Sequence, residues 1–166
     1  MDELSFENLV NAHYEPLYRF ALSLAHSEAD ACDLVQQTFY RWATKGGQLR
    51  DKSKVKSWLF TTLRREFLIR RRHEDKFPKV EISEVEGAEL TSNLPLPEKQ
   101  IDGASAMAAL HTLDEIYRAP LALFYLEDHS YRDIAEILDV PVGTVQSRIS
   151  RGKELLREII LEKEKK

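Results

Sequence analysis

The side chains with the clearest capacity for specific chemistry form a polar run near the C-terminal end of this 166-residue chain. Val145 and Ile149 lie four residues apart, so on a helix both would face inward and leave their polar neighbours outward. The outward residues are Thr144, Gln146, Ser147, Arg148, Ser150 and Arg151. Amide, hydroxyl and guanidinium groups on one helix face match the edges of base pairs and the phosphates of duplex DNA. The pattern predicts a helix that binds in the major groove.

The segment in front of this helix has the features of a helix-turn-helix motif. Ser130 is a suitable N-cap for a helix over 131–138, and the small Ala135 leaves room for a crossing helix. Pro141 cannot continue that helix but suits the start of the next one, over 142–161. A solvated polar helix in a small bundle is the alternative, but such surfaces usually carry Glu and Lys pairs, which occur here only further along the chain.

A second candidate nucleic-acid surface lies in the first half of the chain. Residues 48–76 contain ten basic and four acidic side chains, around a predicted helix over 54–74. The cations are Lys52, Lys54, Lys56, Arg64, Arg65, Arg70, Arg71 and Arg72. Cations beside aromatic rings suit single-stranded or melting DNA, because the backbone meets the charges while bases stack on the rings. An ordinary solvated basic face is the alternative, and Trp58 and Phe60 are expected in the core.

Acidic blocks flank this basic segment, although the net charge of the whole chain is only −4. Residues 1–40 carry seven acidic side chains against Arg19, and residues 81–102 carry six against Lys99. A uniformly solvated surface would not normally separate its charges into blocks. We therefore expect an acidic face for a protein partner and a basic face for phosphates.

Apolar residues at spacings of three and four predict helices, and no strand-like alternation of useful length occurs in the sequence. A first helix is predicted over 5–25 with a kink at Pro16, and a second begins after the cap residue Ser27. Two more are predicted over 98–112 and 114–127, before the helix-turn-helix.

Residues 76–97 differ from both flanking parts, because prolines, a glycine and scattered acids there follow no sustained period. Such a composition is typical of a flexible linker. The fold is predicted to be all-α, with two small helical domains over 1–76 and 98–166 joined by an acidic linker over 77–97.

Several classes of function are disfavoured by the sequence. The five histidines lack metal-ligand spacing, and neither a Gly-rich phosphate loop nor a Ser/His/Asp set can be nominated, so no enzyme, metal or cofactor is expected. The single cysteine, Cys32, cannot form an internal disulfide. No apolar run approaches the roughly 18 residues of a membrane span, and the acidic N-terminus differs from a secretory signal. A cytoplasmic protein without membrane insertion is expected.

Taken in order, these segments form a known pattern. An acidic, amide-bearing helix (Asp30 to Trp42) precedes a basic helix that begins Trp-Leu-Phe, an acidic linker, and the run Pro-Val-Gly-Thr-Val-Gln-Ser-Arg from Pro141. This arrangement resembles the extracytoplasmic-function (ECF) sigma factors of bacterial RNA polymerase. The resemblance implies a two-domain specificity subunit that directs promoter-specific transcription initiation.

The resemblance also implies roles for particular residues. Binding to core RNA polymerase would use Asp30, Asp33, Gln36, Gln37 and Arg41 around a core of Leu34 and Phe39. The basic helix and the loop before it would melt and bind the −10 element as single-stranded DNA, through the cations from Lys52 to Arg72 named above. The outward residues of the helix-turn-helix would contact the −35 duplex. An anti-sigma factor is a further implied partner.

One departure from the family pattern lies in the basic helix. Aligned on Trp58, Arg65 and Ile69 occupy positions where family members usually carry Asn and Asp. The other function considered is a stand-alone helix-turn-helix regulator, whose N-terminal half would serve dimerisation or ligand sensing. That alternative does not need an acidic amide face followed by an Arg-rich helix, and a single helix-turn-helix would normally need a dimer on a two-fold operator.

Overall fold

The computed structural model describes residues 5–76, here the N-terminal half, and residues 103–164, the C-terminal half. Across these two ranges every regular element is helical, which confirms the all-α prediction. The seven α-helices within them are α1 (Phe6–Leu24), α2 (Glu28–Lys45), α3 (Val55–Lys76), α4 (Gly103–His111), α5 (Glu115–Leu121), α6 (Tyr131–Leu138) and α7 (Val142–Glu164).

Helices α1, α2 and α3 pack against one another to form the N-terminal half. The apolar positions at helical spacing that the sequence indicated are buried, among them Leu17, Phe20, Leu34, Leu59 and Leu63. Burial of such side chains removes apolar surface from water and supplies most of the stability of a small helical domain.

The beginnings of these helices follow from local side-chain capping. The hydroxyl of Ser5 accepts a hydrogen bond from the amide of Asn8, and that of Ser27 accepts one from the amide of Asp30. Each bond satisfies an amide that would otherwise have no partner in the first helical turn. Pro16 lies inside α1 without ending it.

Helix α5 is shorter than the prediction over 114–127. Its α-helical part ends at Leu121, and Ala122–Leu126 form a π-helical turn in which the amide of Glu127 donates to the carbonyl of Ala122 at 3.2 Å. Pro120 has no amide hydrogen to donate, which weakens the regular ladder immediately before this turn. Spacing of apolar residues does not distinguish a π-helical turn from an α-helical one.

The helix-turn-helix forms where the sequence predicted it. Asp139 ends α6 in the left-handed conformation, with φ 58° and ψ 51°. The amides of Thr144 and Val145 then donate to the carbonyl of Pro141, which begins α7. Helix α7 packs on α5 and α6, with Val145 and Ile149 buried beneath it.

The predicted linker over 77–97 and residues 98–102 of the predicted 98–112 helix lie outside the described residues. The two halves contact each other through α1 with α4 and α5, and through α3 with α6. Among the helices described, none is long and apolar enough to cross a membrane.

Candidate nucleic-acid interface

The outward face of α7 is the first part of the candidate interface. Gln146, Ser147, Ser150 and Arg151 are exposed, while Thr144 and Arg148 are half-buried. All of them lie in the first three turns of the helix, on the side opposite to its buried apolar pair. The predicted orientation is therefore present, with six polar side chains on one accessible surface.

Local bonds of this face leave its groups available. The hydroxyl of Ser147 donates to the carbonyl of Gly143 at 3.0 Å and can still accept a hydrogen bond. Nη1 of Arg151 lies 3.1 Å from Oε2 of Glu154, in a pair whose two side chains are both exposed. Exposed ion pairs contribute little stability, so a phosphate could replace Glu154 at small cost.

The position of α7 is set by the helix before it and by a close contact further along. The hydroxyl of Ser130 accepts a hydrogen bond from the amide of Asp133 at 3.1 Å, as predicted for the cap of α6. Gly152 packs so closely on α5 that an added Cβ would lie 2.8 Å from Cδ1 of Leu121. A larger side chain at Gly152 would collide with Leu121 unless that side chain or one of the two helices shifted.

The basic segment forms the second part of the candidate interface. Lys52, Lys54, Lys56, Arg65, Arg71 and Arg72 are exposed, on α3 and on the short 3₁₀ turn before it. Asp51 caps that turn by accepting hydrogen bonds from the hydroxyl and the amide of Ser53, and these bonds lower the pKa of Asp51. The turn is thereby held with two lysines on its surface.

Two arginines of this segment are not free on the surface as the sequence suggested. Nε of Arg64 donates to Oε1 of Glu115 at 2.9 Å, and the arginine side chain is largely buried. Nη1 of Arg70 lies 3.9 Å from Oδ2 of Asp33 on α2. The first of these pairs crosses between the two halves, and helical periodicity along α3 carries no information about such a distant partner.

The aromatic residues of α3 belong mainly to the packing of the N-terminal half. Phe60 is fully buried, as expected, and Trp58 is half-buried. The rings of Trp58 and Trp42 meet edge to face, with centroids 5.2 Å apart. Ile69 is an exposed apolar residue on the same helix as the exposed arginines.

Helix α2 presents a separate polar face. Asp30, Asp33 and Gln36 are exposed and Gln37 is half-buried. Half-buried Arg41 lies with Nη2 3.7 Å from Oε2 of Glu66 on α3, so it also joins two helices.

The two apolar members of the predicted polymerase-binding set, Leu34 and Phe39, are buried in the hydrophobic core. They support the α2 face from beneath and do not form part of its surface. Tyr40, which was not among the predicted site residues, is 62% exposed on this helix. Its spacing of four residues from Gln36 and seven from Asp33 is the signal that could have identified it.

Within residues 5–76 and 103–164, no group of three or more His, Cys, Asp or Glu side chains could hold a metal ion. The candidate site comprises hydrogen-bonding and cationic groups on two surfaces and carboxylate and amide groups on a third. Its three surfaces lie on α7, on α3 and on α2.

Comparisons with known proteins match both halves of the chain. The family model for sigma-70 region 2 matches residues 9–77, and that for sigma-70 region 4 matches residues 104–156. The chain is 31% identical to the ECF RNA polymerase sigma factor EcfG of Rhodopseudomonas palustris, over 87% of this chain and 78% of that one. It is 32% identical to the ECF sigma factor SigE of Mycolicibacterium smegmatis over 94% of its own length, and spans 62% of that longer relative.

A solved structure has the same architecture over almost the whole chain. The sigma factor RpoE, in complex with the anti-sigma factor NepR from Bartonella quintana, superposes with a TM-score of 0.72. It is 28% identical in sequence, and the match covers 95% of this chain and 96% of RpoE. The chain therefore belongs to the ECF sigma factors of RNA polymerase. Its function is promoter-specific transcription initiation, and a stand-alone regulator is not favoured.

Proposed function

We propose that each of the three surfaces binds a different partner of a sigma factor. The face of α7, in a C-terminal domain over 98–166, binds the duplex of the −35 element. Base edges are contacted by exposed Gln146, Ser147, Ser150 and Arg151, while half-buried Thr144 and Arg148 contact phosphates or lie near the groove. The exposed polar face above buried Val145 and Ile149 is the observation that carries this assignment.

The basic surface of α3 and its preceding turn binds the −10 element as its strands separate. This role fits a domain over 1–76 in which Lys52, Lys56, Arg65, Arg71 and Arg72 are exposed. A line of cations follows a flexible single strand without needing a fixed groove width. Arg65 and Ile69 replace the Asn and Asp that are usual in the family. The −10 sequence that this chain prefers is therefore expected to differ from the usual one.

The face of α2 binds core RNA polymerase through Asp30, Asp33, Gln36 and Gln37. Exposed Tyr40 adds an aromatic contact of the kind that contributes strongly at protein interfaces. Arg41 supports this face through its ion pair with α3. Because acidic groups repel DNA, this face favours a protein partner over the nucleic acid that the other two surfaces bind.

The chain acts in the cytoplasm as a binding subunit and not as an enzyme. The similar RpoE was solved with an anti-sigma factor, which supports an anti-sigma factor as a partner of this chain too. The segment over 77–97 is proposed to join the two domains as a linker.

Run-off transcription with core polymerase on promoter fragments tests the proposal. Arg148→Ala and Arg151→Ala are each expected to weaken use of the −35 element by about 1–3 kcal/mol. Arg157→Ala is the matched control, because Arg157 is exposed further along the same helix. Equal losses in all three variants, or none, would contradict the assignment of the α7 face.

Two further sets of variants test the α3 surface and the α2 surface independently. Arg65→Ala and Arg71→Ala are expected to reduce strand opening at the −10 element, detected by permanganate reactivity of unpaired thymines. Asp33→Ala and Gln36→Ala are expected to reduce co-elution with core polymerase without reducing binding of DNA. If the α3 variants open promoters normally, the −10 assignment is wrong.

A further inference from the structure

One line of side chains runs along the outward side of α3 and contains an apolar residue between two cations. Residues at spacings of three and four lie on the same side of a helix. This spacing joins Trp58, Thr62, Arg65, Ile69 and Arg72, here called the α3 stripe. The first two are half-buried and the last three are exposed. The α3 stripe therefore begins at the edge of the core and continues into solvent.

Ile69 contributes little to the folding of the N-terminal half. It is 53% exposed, whereas Leu59 and Leu63 on the opposite side of α3 are fully buried. An isoleucine in this position removes little apolar surface from water. Its branched Cβ is also less favourable in a helix than alanine or a straight side chain. The stability of α3 therefore does not account for isoleucine at this position.

The two arginines of the α3 stripe are available to an anion. Arg70 of the same helix is already beside Asp33. Arg65 and Arg72 are exposed, and neither has an ion-pair partner in the described part of the chain. Along the helix axis they lie about 6 Å before and about 4.5 Å after Ile69. A DNA strand whose phosphates are bound by both guanidinium groups would pass over Ile69.

The side chain of Ile69 can favour one base over another only through an apolar contact. It has no hydrogen-bond donor or acceptor, so it cannot pair with the polar groups on the edge of a base. Thymine is the DNA base that carries a methyl group, at C5, and apolar side chains recognise thymine through this group. The methyl group stays on the base when the strands separate. Thymine is therefore the base that an exposed isoleucine on this surface would favour.

We propose that Ile69 is a specificity-determining residue, which packs against the C5 methyl group of an unpaired thymine in the −10 element. The proposal rests on the proposed −10 role of α3. Arg65 and Arg72 hold the backbone of the strand on either side, and Ile69 supplies the preference for one base. A contact with core polymerase would be another use of an exposed apolar side chain. The charges favour DNA, because the α3 stripe carries cations while the acidic polymerase face lies on α2.

Removing the methyl group from single thymines tests this contact without changing the protein. Core polymerase with the full chain transcribes promoter fragments in which one non-template thymine of the −10 element at a time is replaced by deoxyuridine. Deoxyuridine pairs as thymine does but lacks the C5 methyl group, and the transcript is unchanged because it is copied from the other strand. At one position the replacement is expected to lower the rate of run-off transcription on the order of fourfold, as for one apolar carbon returned to water.

Variants at Ile69 assign this effect to its side chain. Ile69→Ala is expected to transcribe the thymine and deoxyuridine templates equally, while Ile69→Val should keep part of the difference because valine is also branched and apolar. Ile69→Asp is expected to favour cytosine over thymine at the same position, since a carboxylate accepts a hydrogen bond from the amino group of cytosine. Ile116→Ala is the matched control, because Ile116 is 40% exposed on α5, outside the three proposed surfaces. This control should keep the full difference between the templates.

Three results would overturn the proposal. One is an unchanged chain that transcribes every deoxyuridine template as well as the thymine template, or that needs no thymine in its −10 element. Another is a template difference that persists undiminished in Ile69→Ala. The third is an Ile69→Ala variant that co-elutes less with core polymerase and loses transcription from all templates by the same factor, which would assign Ile69 to the polymerase contact. Failure of the −10 assignment itself is detected separately, by normal strand opening in the Arg65 and Arg71 variants.

Discussion

The ring of His111 is hydrogen-bonded to the backbone carbonyl of Leu22, with 2.6 Å between Nε2 and the oxygen. Since a carbonyl only accepts, Nε2 carries the proton, and the buried Nδ1 has no hydrogen-bond partner among the described residues. Burial lowers the pKa of His111 to about 4, with help from the charge of Arg118 and from His26. The ring is therefore neutral where it joins the two halves.

His129 is the second histidine in the contact between the halves. Burial lowers its pKa to about 4 as well, and the charge of Lys56 contributes, while Asp133 and Asp128 oppose the change. Its ring packs on Phe60. Both histidines thus resist protonation while the halves are together.

Acidification is expected to destabilise the fold through these two rings. Their pKa in the folded chain lies below the ordinary value of 6.5, so the unfolded chain binds the protons more readily. The stabilisation is complete above pH 6.5 and is lost as the pH falls from there towards 4. When the pH falls from 7 to 5, each ring should lower the free energy of unfolding by about 2 kcal/mol. Urea denaturation at the two pH values measures this loss.

His111→Gln is the control for this pH dependence, since an amide can donate to the carbonyl of Leu22 but does not titrate in this range. The variant is expected to lose less stability on acidification than the unchanged chain. An identical loss in both proteins would show that other groups cause the effect.

Alanine substitution at the two glycines of α7 is expected to change the stability of the chain in opposite directions. A Cβ at Gly143 meets no atom within 4 Å, so Gly143→Ala should stabilise the chain by about 0.5–1 kcal/mol through helix propensity. At Gly152 the added methyl would meet Leu121, and Gly152→Ala should destabilise by about 1–2 kcal/mol. Thermal unfolding of both variants checks this, and a common direction of change would contradict the close contact with α5.

A variant in the α2 face and a variant in the core beneath it are expected to differ in their effect on stability. Leu34→Ala removes a buried side chain and should cost about 2–5 kcal/mol in unfolding free energy. Gln36→Ala changes an exposed side chain and should alter stability by no more than about 0.5 kcal/mol. Chemical denaturation measures both, and a large cost at Gln36 would mean that this face is not free for a partner.

The N-cap of α6 is expected to contribute more to the stability of the fold than a hydroxyl on the α7 surface. Ser130→Ala leaves the amide of Asp133 without its acceptor and should cost about 1 kcal/mol. Ser147→Ala removes only a bond to a carbonyl within the same helix and should change stability by less than about 0.5 kcal/mol. Equal effects on the melting temperature would argue against the cap.

Local physics explains which parts of the fold could be predicted from the sequence. Ser27 and Ser130 cap their helices as expected, and Val145 and Ile149 face inward, because each depends only on neighbours within one or two turns. The π-helical turn after Leu121 was missed, since apolar spacing hardly differs between that turn and an α-helix.

The contact between the halves could not be predicted in this way. Arg19 and Glu127 are 108 positions apart, and neither residue differs locally from an ordinary surface charge. Periodicity describes which way Arg64 points on α3 but carries no information about what lies there in space. Only the tertiary arrangement joins each of these arginines to a carboxylate of the other half.

The close approach of Gly152 to Leu121 constrains α7 at a point nine positions away from Gly143, which lies near the end of the helix that is proposed to bind DNA. At about 1.5 Å per residue the lever between pivot and tip is about 14 Å long. A tilt of about 5° at the pivot would displace the tip by about 1 Å, which is comparable to the tolerance of a hydrogen bond to a base. If α7 binds the −35 element as proposed, promoter choice depends on residues that never approach the double helix, and an altered preference need not originate from an altered contact.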